Sequence, residues 1–388
     1  MSAAVAAGEA PLHALTDRVL DTLRTAGLVV GVAAAAPFLE TRAELLRRRA
    51  AGLHAGMAFT YRDPERATDP SRTVAGARSL VVGALGYLRA GAQRPASTAP
   101  GRVARYAWTD HYADLTERLA LGAGVLRASG HAAVVLADQN ALVDREAARR
   151  AGIGWYGRNA NLLLPGRGSW FVLGSIVTDA ALTPSPAARG GCGTCTRCMP
   201  ACPTGAIVAP GVVDARRCLS WLLQATGPFP REHREALGDR IYGCDDCQEV
   251  CPPNRVAAVA APTAVAAPAA PLTPSAPRAW VDVLELLADD DATVLHAARR
   301  WYVAERNPRY LRRNALVVLG NTAAPDDARA LATLVRCLRH PDPLIRAHAV
   351  WAAARLGRAD LADGLAATEA DPMVRAELED RAAVRARA

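Results

Sequence analysis

The first half of the chain alternates segments of helical periodicity with short apolar runs. Residues 12–27 carry apolar side chains at helical spacing and end at Gly27, which predicts an amphipathic helix. A second helix is predicted over residues 112–130. Three apolar, β-branched runs predict buried strands, at residues 28–35, 79–85 and 132–137. This alternation predicts an α/β domain over residues 1–185.

The second half has three different patterns. Residues 186–255 are rich in Cys, Gly and Pro, which is typical of a loop-rich metal module. The stretch from Pro252 to Pro277 is almost entirely Ala, Pro, Val and Thr, and it predicts an extended linker, assigned to residues 256–279. Beyond it, HPDPLIRA recurs about 30 residues later as EADPMVRA. Repeats of this length with Asp-Pro turns predict a HEAT-like helical domain over residues 280–388.

Composition excludes several classes of protein. The 388 residues are 51% hydrophobic and 22% charged, as in globular proteins. The longest apolar stretch is far shorter than the roughly 20 residues of a membrane span, and the N-terminus lacks the pattern of a secretory signal. We therefore expect a cytoplasmic protein without a membrane partner. All 46 basic residues are arginines, which rules out lysine chemistry, and the net charge of +8 permits a polyanionic partner.

The cysteines carry the strongest chemical signal. Eight of the nine lie between Cys192 and Cys251, and without an export signal such clustering indicates metal rather than disulfides. The first four follow the ferredoxin spacing C-x2-C-x2-C-x3-C-P. In the second half Ile241 stands where a symmetric ferredoxin has cysteine, and Cys218 is left to fill that place. Counting ligands assigns one [4Fe–4S] cluster to Cys192, Cys195, Cys198 and Cys251, and another to Cys202, Cys218, Cys244 and Cys247.

One alternative for this ferredoxin-like module is a pair of zinc sites, which also use C-x2-C spacings, although interlocked runs of this kind are unusual for zinc. The ninth cysteine, Cys337, lies among Leu334, Val335 and Leu338 and is predicted to be a core residue. Two neighbouring clusters conduct single electrons, which implies that a further group is reduced at the end of the path.

Three segments resemble the epoxyqueuosine reductase family: AGIGWYGRN at 151–159, IYGCDDCQEVCP at 241–252 and YLRRNALVVLGN at 310–321. The resemblance runs from about Gly56 to about Arg355. It implies a cobalamin-dependent iron–sulfur oxidoreductase that completes the queuosine modification of tRNA by reducing an epoxide at the wobble position. It also implies an N-terminal cobalamin domain related to that of reductive dehalogenases, followed by HEAT-like repeats.

The resemblance also implies site residues. Asp138 follows the strand-like run 132–137 and precedes the pair Asp144–Arg145, as the family's proton donor does. From the residues alone, Asp138 is instead interpreted as a helix cap. The implied cobalamin contacts are Tyr61, Asp138, Arg158, Asn159, Ser220 and Asp245. Packing or a turn hydrogen bond is an equal alternative for Tyr61 and Ser220.

The chain departs from the family pattern at several positions. Arg158 replaces a lysine, Pro253 stands where the family has tryptophan, and the residues after Ser220 differ. These departures leave every predicted cluster ligand in place but put individual cofactor contacts in doubt. No Asp-x-His-x-x-Gly motif occurs, so a histidine-ligated cobalamin of the mutase type is not expected.

The implied partners are the anticodon stem-loop of a tRNA carrying epoxyqueuosine and an external low-potential electron donor, with the protein acting as a monomer. A basic surface for the RNA is predicted from Arg216, Arg217, Arg299, Arg300, Arg312, Arg313, Arg346 and Arg375. Any one of them is alternatively a structural residue that stacks between repeat helices.

Three other functions stay open at this point. One is a cobalamin-dependent reductase of another, small substrate, against which the helical domain argues. Another is a ferredoxin-like electron-transfer protein whose repeats dock a partner. The third is a family member that keeps its clusters but has lost turnover, as the departures after Ser220 suggest.

Overall fold

The computed structural model describes residues 2–97, 99–260 and 277–385. The strands are β1 (Val29–Ala34), β2 (Ser79–Gly86), β3 (Pro100–Val103), β4 (Ala133–Ala137), β5 (Trp155–Tyr156), β6 (Leu162–Leu163), β7 (Phe171–Thr178), β8 (Ile207–Ala209), β9 (Val212–Val213), β10 (Arg240–Tyr242) and β11 (Trp280–Asp282).

The helices follow the same chain order. They are α1 (Ser2–Thr25), α2 (Leu39–Ala50), α3 (Pro64–Ala67), α4 (His111–Ala128), α5 (Asp144–Arg150), α6 (Leu219–Leu222), α7 (Arg231–Leu237), α8 (Asp246–Glu249), α9 (Pro252–Ala260), α10 (Val283–Ala288), α11 (Asp291–Ala297), α12 (Arg309–Thr322), α13 (Ala328–Leu338), α14 (Pro343–Arg355), α15 (Asp363–Ala366) and α16 (Pro372–Arg385). No helix of the described ranges is both long and apolar enough to cross a membrane.

The chain forms two compact units, each built from separate stretches of sequence. Unit 1 contains Met1–Ala90, Thr109–Arg216 and Asp245–Ala276. Unit 2 contains Gly91–Trp108, Arg217–Cys244 and Pro277–Ala388. The predicted boundaries at 185, 255 and 279 therefore do not coincide with the compact units, since part of the cysteine module belongs with the C-terminal helices. As domain limits those boundaries stay a prediction.

Unit 1 is organised around one sheet with the strand order β1-β2-β7-β4. The three predicted strands are confirmed as β1, β2 and β4, but the apolar strand β7 between β2 and β4 was not predicted. All pairings in this sheet are antiparallel, whereas alternating helices and strands usually give a parallel sheet.

Helix α4 packs closely on this sheet because two strand glycines make room for it. A Cβ at Gly83 of β2 would lie 2.9 Å from the Leu119 side chain, and one at Gly174 of β7 would lie 2.8 Å from it. Leu115 and Leu119 of α4 are fully buried at this contact. The helix predicted over 112–130 is thereby confirmed as the element that covers the sheet.

Unit 2 is mainly helical. Its core extends through α10, α12, α13, α14 and α16, as predicted for the repeat region. Helices α12 and α14 approach closely at Gly320, where a Cβ would lie 2.9 Å from the Cα atom of Ala352. A three-stranded sheet of order β10-β3-β11 belongs to the same unit. The predicted core position of Cys337 is confirmed, since that residue is 3% exposed.

The predicted extended linker is wrong at its beginning. Residues Pro252–Ala260 form helix α9, which starts directly after Cys251. Pro at the first helical position and a run of Ala both favour a helix, so the same composition that suggested a linker also suits α9. Residues 261–276 lie outside the described residues.

Candidate functional site

Four of the predicted cluster ligands come together in unit 1. Burial, together with the charges of Cys192, Cys198 and Cys195, raises the pKa of the Cys251 thiol to about 11. Burial also raises the pKa of Cys198, again with Cys192 and Cys195 as neighbours. The charges of Cys192 and Cys195 therefore disfavour ionisation of both Cys198 and Cys251. Binding to iron relieves this repulsion because each thiolate then holds a cation.

The loop before these ligands is shaped by a glycine. Gly190 has a φ of +150°, and a Cβ there would lie 2.4 Å from ring atoms of Trp155. The backbone therefore lies flat against the indole ring two residues before Cys192. Side chains rarely adopt this φ and the ring leaves no space for one, so only glycine suits the position.

The Cys251 side of the group is anchored by a buried amide. The backbone N–H of Asn254 donates a hydrogen bond to the carbonyl oxygen of Cys251 at 3.0 Å, and Asn254 is 1% exposed. Its Nδ2 donates to the carbonyl oxygen of Gln248 at 2.8 Å and to the hydroxyl of Ser169 at 2.9 Å. Helix α9 is thus fixed where it presents Cys251.

The other four predicted ligands are divided between the units. In unit 1 the Cys202 sulfur accepts a hydrogen bond from the backbone N–H of Ala206 at 3.2 Å, and Cys247 lies on α8. In unit 2 Cys218 directly precedes α6, and Cys244 packs on the helical core. Their assignment to one cluster stays a prediction.

The thiols do not form a site for a single ion. In the described ranges no group of three or more His, Cys, Asp or Glu side chains could hold one metal ion. A tetrahedral zinc site needs its sulfur atoms within about 4 Å of each other, because Zn–S bonds are about 2.3 Å long. A cubane binds each thiolate to a different iron and so accepts wider spacing.

Asp138 ends strand β4 in a strained conformation. Its φ is +53°, uncommon for a residue with a side chain. The residue is exposed to solvent, yet the surrounding protein desolvates the carboxyl and raises its pKa. A group that is both open and desolvated lies in a concave surface. The capping alternative is wrong for the next helix, since α5 begins after Val143 and has no side-chain cap.

A second carboxyl lies beside Asp138. Burial raises the pKa of Asp144 well above its usual value, the Asp138 charge raises it further, and Arg145 partly opposes both effects. Asp144 therefore retains a proton more readily beside Asp138 than it would alone. This pair is the clearest proton-holding group in unit 1.

Tyr61 joins the same region through a loop contact that sequence reasoning missed. The Oδ1 atom of Asn140, two residues after Asp138, accepts a hydrogen bond from the backbone N–H of Thr60 at 2.7 Å. Burial raises the pKa of Tyr61, which also interacts with the guanidinium groups of Arg48 and Arg145. The loops that carry Tyr61 and Asp138 are therefore tied together.

Two further tyrosines face the charge of Arg145 and were not predicted. Burial raises the pKa of Tyr156 to about 12, and burial with the Asp245 charge raises that of Tyr87. Tyr87 is 5% exposed, and its hydroxyl donates to Oε1 of Gln248 at 3.5 Å. Asp245, predicted as a cofactor contact, is itself buried and adjoins this network.

Arg158 and Asn159 bind the cysteine loops. Arg158 donates to the carbonyl oxygen of Gly193 at 2.8 Å, and Asn159 donates to that of Cys247 at 3.2 Å. Their side chains thus brace two ligand loops of unit 1, a role that the predicted cofactor contacts did not include. Whether they also contact a cofactor stays a prediction.

Ser220 lies in unit 2, half-buried on the short helix α6. Its carbonyl oxygen accepts a hydrogen bond from the Gln224 side chain at 3.0 Å. The segment that follows is held by Arg313, which donates to the carbonyl oxygens of Leu222 at 2.9 Å and Ala225 at 2.8 Å.

The predicted basic surface is wrong at Arg313, which is fully buried. Arg346 is engaged in an ion pair with Glu369 at 2.7 Å, as the structural alternative supposed. Four other predicted arginines are exposed: Arg216, Arg217, Arg299 and Arg375.

The cysteine geometry and the proton-holding carboxyls define an iron–sulfur oxidoreductase with a helical repeat region. Two family models match the chain: a 4Fe-4S double cluster binding domain over residues 191–254, and HEAT repeats over residues 297–381. The chain is 30% identical over 353 residues to the epoxyqueuosine reductase of Bacillus anthracis, covering 88% of this chain and 89% of that one. It belongs to the epoxyqueuosine reductase family.

Solved structures agree with this assignment. The chain matches a crystal structure of epoxyqueuosine reductase with an epoxyqueuosine-modified tRNA-Tyr stem loop, with a TM-score of 0.83, 29% identity, and coverage of 95% of this chain and 97% of that one. It also matches the Bacillus subtilis enzyme with its catalytic aspartate loop swung out of the active site, with a TM-score of 0.82, 28% identity, and coverage of 95% and 98%.

Proposed function

We propose that this chain reduces the epoxide of epoxyqueuosine in tRNA, with Asp138 as the proton donor. The reaction consumes two electrons and two protons, breaks both carbon–oxygen bonds of the epoxide, and releases the oxygen as water while an alkene forms. The observation that carries the proposal is the open but desolvated carboxyl of Asp138, in the unit that gathers four cysteine thiols. Family membership supplies the substrate.

The strain at Asp138 supports a role in chemistry. Backbone strain of this kind persists where the surroundings enforce it and is frequent at active sites. In the related Bacillus subtilis structure a catalytic aspartate loop swings out of the active site. A carboxyl at a positive φ on a loop end is suited to such a movement. Its raised pKa keeps it protonated closer to neutrality, which a proton donor requires.

Electrons are proposed to reach the substrate through two [4Fe–4S] clusters. The first is held by Cys192, Cys195, Cys198 and Cys251, and the second by Cys202, Cys218, Cys244 and Cys247. The family model for a double cluster supports both sets. The effect of the Cys192, Cys195 and Cys198 charges on the pKa of Cys251 supports the first set.

Cobalamin is the cofactor we propose beside Asp138, in an N-terminal domain of the reductive-dehalogenase type. When bound, it supplies a cobalt that accepts single electrons and delivers a pair. The residues present fit such a group: His54 lies 5.5 Å from the Tyr61 ring, and its buried Nδ1 has no hydrogen-bond partner among the described residues. Such a buried nitrogen without a partner could form a hydrogen bond with an amide side chain of a corrin.

Within that site this chain's own residues have separate tasks. Asp138 gives a proton to the departing oxygen, and burial favours the protonated form of its carboxyl. Tyr61 and Asp245 are proposed to hold the cofactor, as are Arg158, Asn159 and Ser220. The carboxyl of Asp138 faces solvent, so it can meet a base delivered from outside.

The RNA is proposed to bind as an anticodon stem-loop whose wobble base leaves the stack to reach Asp138. A related structure holds such a modified stem loop, which supports this partner. Exposed arginines, such as Arg299 and Arg375, are available for phosphate contacts. We propose that the protein acts as a monomer in the cytoplasm and takes electrons from a separate low-potential donor.

The decisive experiment compares Asp138→Asn with the wild type. Protein reconstituted with iron, sulfide and cobalamin is incubated anaerobically with epoxyqueuosine-containing stem-loop RNA, and the nucleosides are quantified by mass spectrometry. We expect unchanged cofactor spectra and a rate at least about 100-fold lower in Asp138→Asn, the usual contribution of a positioned acid.

Asp179→Asn is the matched control. Asp179 lies at the other end of the same strand pair, where it accepts a hydrogen bond from the backbone N–H of Ala132 at 3.0 Å. Its substitution should leave the rate within about twofold. Full activity in Asp138→Asn would remove that residue from the proposed role. Bound cobalamin without any queuosine formed by the wild type would instead point to another substrate.

A further inference from the structure

The loop that presents the first cluster's ligands is open to solvent. Between Cys192 and Cys198, Gly193, Thr194 and Thr196 are all exposed. The two cysteines at the start of the run, Cys192 and Cys195, are themselves half-buried rather than buried. A cluster held here lies under a thin layer of protein, where an external carrier can approach it.

The charge around this loop has one sign. Residues 180–213 contain no Asp or Glu. Arg189 and Arg197 are exposed within that stretch, and Arg255 is exposed just after Cys251. None of the three guanidinium groups has a hydrogen bond or ion pair with any residue that the structure describes. The nearest acidic side chain before Cys251 is Glu249, which already has an interaction within the protein.

An exposed apolar side chain follows Arg255. This residue, Val256, is 63% exposed. We call Arg189, Arg197, Arg255 and Val256, each within five residues of a predicted ligand of the first cluster, the cluster patch. A small apolar contact rimmed by unpaired charges of one sign is typical of transient protein–protein interfaces, in which charge sets the rate of encounter.

We propose that the cluster patch docks an acidic protein that carries single electrons, and that electrons enter this enzyme there. The inference rests on the proposed function and names the partner of its electron path. Each docking oxidises the carrier by one electron and reduces the cluster by one, so two dockings supply the pair that one epoxide consumes. Opposite charges across the contact speed the encounter without requiring a large interface.

The same patch is less suited to RNA. Proteins that bind unpaired nucleotides place aromatic rings beside their basic residues, because bases stack on them. The cluster patch has no aromatic member, and Gly190 lies against the ring of Trp155. A protein carrier therefore fits the patch better than the RNA substrate does.

The test measures electron entry without RNA. Oxidised, reconstituted enzyme is mixed anaerobically with a reduced, acidic plant-type ferredoxin, whose potential is about −400 mV, and loss of cluster absorbance is followed by stopped flow. The variant is Arg189→Glu/Arg255→Glu, which leaves Arg197 in place between ligands. The matched control is Arg66→Glu/Arg329→Glu, an equal charge change at two other exposed arginines.

We expect the second-order rate constant of the patch variant to fall about tenfold or more at low salt, and that of the control to stay within about twofold. The wild-type rate should fall as salt is added. Reduction by methyl viologen radical, which needs no docking, should not slow in either variant. Equal ferredoxin rates in all three proteins, or a wild-type rate indifferent to salt, would overturn the inference.

Two further readouts separate this inference from the proposed function. Iron content and absorbance are measured first, and a wild type that assembles no clusters would overturn both proposals. If clusters form and accept electrons but the patch variant is reduced by ferredoxin as fast as the wild type, only the inference is overturned. Binding of the RNA stem-loop is measured in parallel. Loss of RNA affinity in the patch variant, with ferredoxin rates unchanged, would assign the patch to RNA instead.

Discussion

Replacing Arg313 with methionine should destabilise unit 2 more than any other single arginine change on α12. The guanidinium is fully buried and has no carboxylate partner among the described residues. It donates instead to main-chain carbonyls, those of Leu222, Ala225 and Gly227, at 2.9, 2.8 and 2.6 Å. These carbonyls belong to the turn that follows α6, so one side chain satisfies the backbone of a whole loop.

The magnitude follows from what the substitution leaves behind. Methionine fills similar space but donates no hydrogen bond. Each carbonyl that stays buried without a donor costs about 1–3 kcal/mol of stability. Part of this loss is offset, because a buried cation is itself costly: desolvation lowers the pKa of Arg313 to about 9. We expect a net loss of about 2–4 kcal/mol in the free energy of unfolding.

The assay is thermal unfolding with parallel iron analysis. A loss of this size lowers the Tm by about 5–15 °C in a unit of this length. Since α6 starts directly after Cys218, the released loop should also lower iron content. Arg312→Met is the matched control: its ion-pair partner Asp291 is 71% exposed, so the loss should be at most about 1 kcal/mol. Equal Tm values for the two variants would refute the reasoning.

Two other substitutions test the site in unit 1. Gly190→Ala should lose the first cluster, about four iron atoms per chain, because its Cβ would lie 2.4 Å from the Trp155 ring. The control Gly191→Ala has open space around its Cβ and should keep all the iron. Equal iron contents in the two variants would contradict this. Asp144→Asn should raise the free energy of unfolding at pH 7. The pKa of Asp144 is higher folded than unfolded, so its ionised form destabilises the fold as pH rises, and the gain should vanish near pH 3, where both states are protonated. Denaturant unfolding at the two pH values checks this, and a gain that persists in acid would contradict it.

Local patterns predicted the elements that local forces determine. The apolar runs gave strands β1, β2 and β4 because each buries its side chains in a sheet, and helical spacing gave α4. The failure at α9 has a related cause. An Ala- and Pro-rich stretch suits both a linker and a helix that begins with proline, and the contacts of Asn254 with Ser169 and Gln248, which hold this helix, lie far apart in sequence.

The candidate site also contains residues that local patterns predict and residues that only the fold brings together. Cysteine spacing is a local property, so the first ligand set could be predicted from the sequence, and the effect of its other three members on the pKa of Cys251 supports that prediction. The hydrogen bond from Thr60 to Asn140 joins residues 80 positions apart, and Tyr87 meets Gln248 across 161 positions. No spacing rule connects such pairs, so these members of the site became visible only in the fold.

Arg313 shows why composition misleads at buried polar positions. Its sequence neighbour Arg312 pairs with Asp291 at the surface, and a basic pair on a repeat helix suggests an RNA contact. Yet α12 is buried on nearly every side from Tyr310 to Gly320, so a polar residue there must find backbone to bind. The adjacent Asn314, which is also fully buried and donates to the carbonyl oxygen of Leu223 at 2.8 Å, obeys the same requirement. The repeat helices therefore support the loop between Cys218 and Cys244 from within unit 2. The positions of these two predicted cluster ligands thus depend on the packing of the helical region.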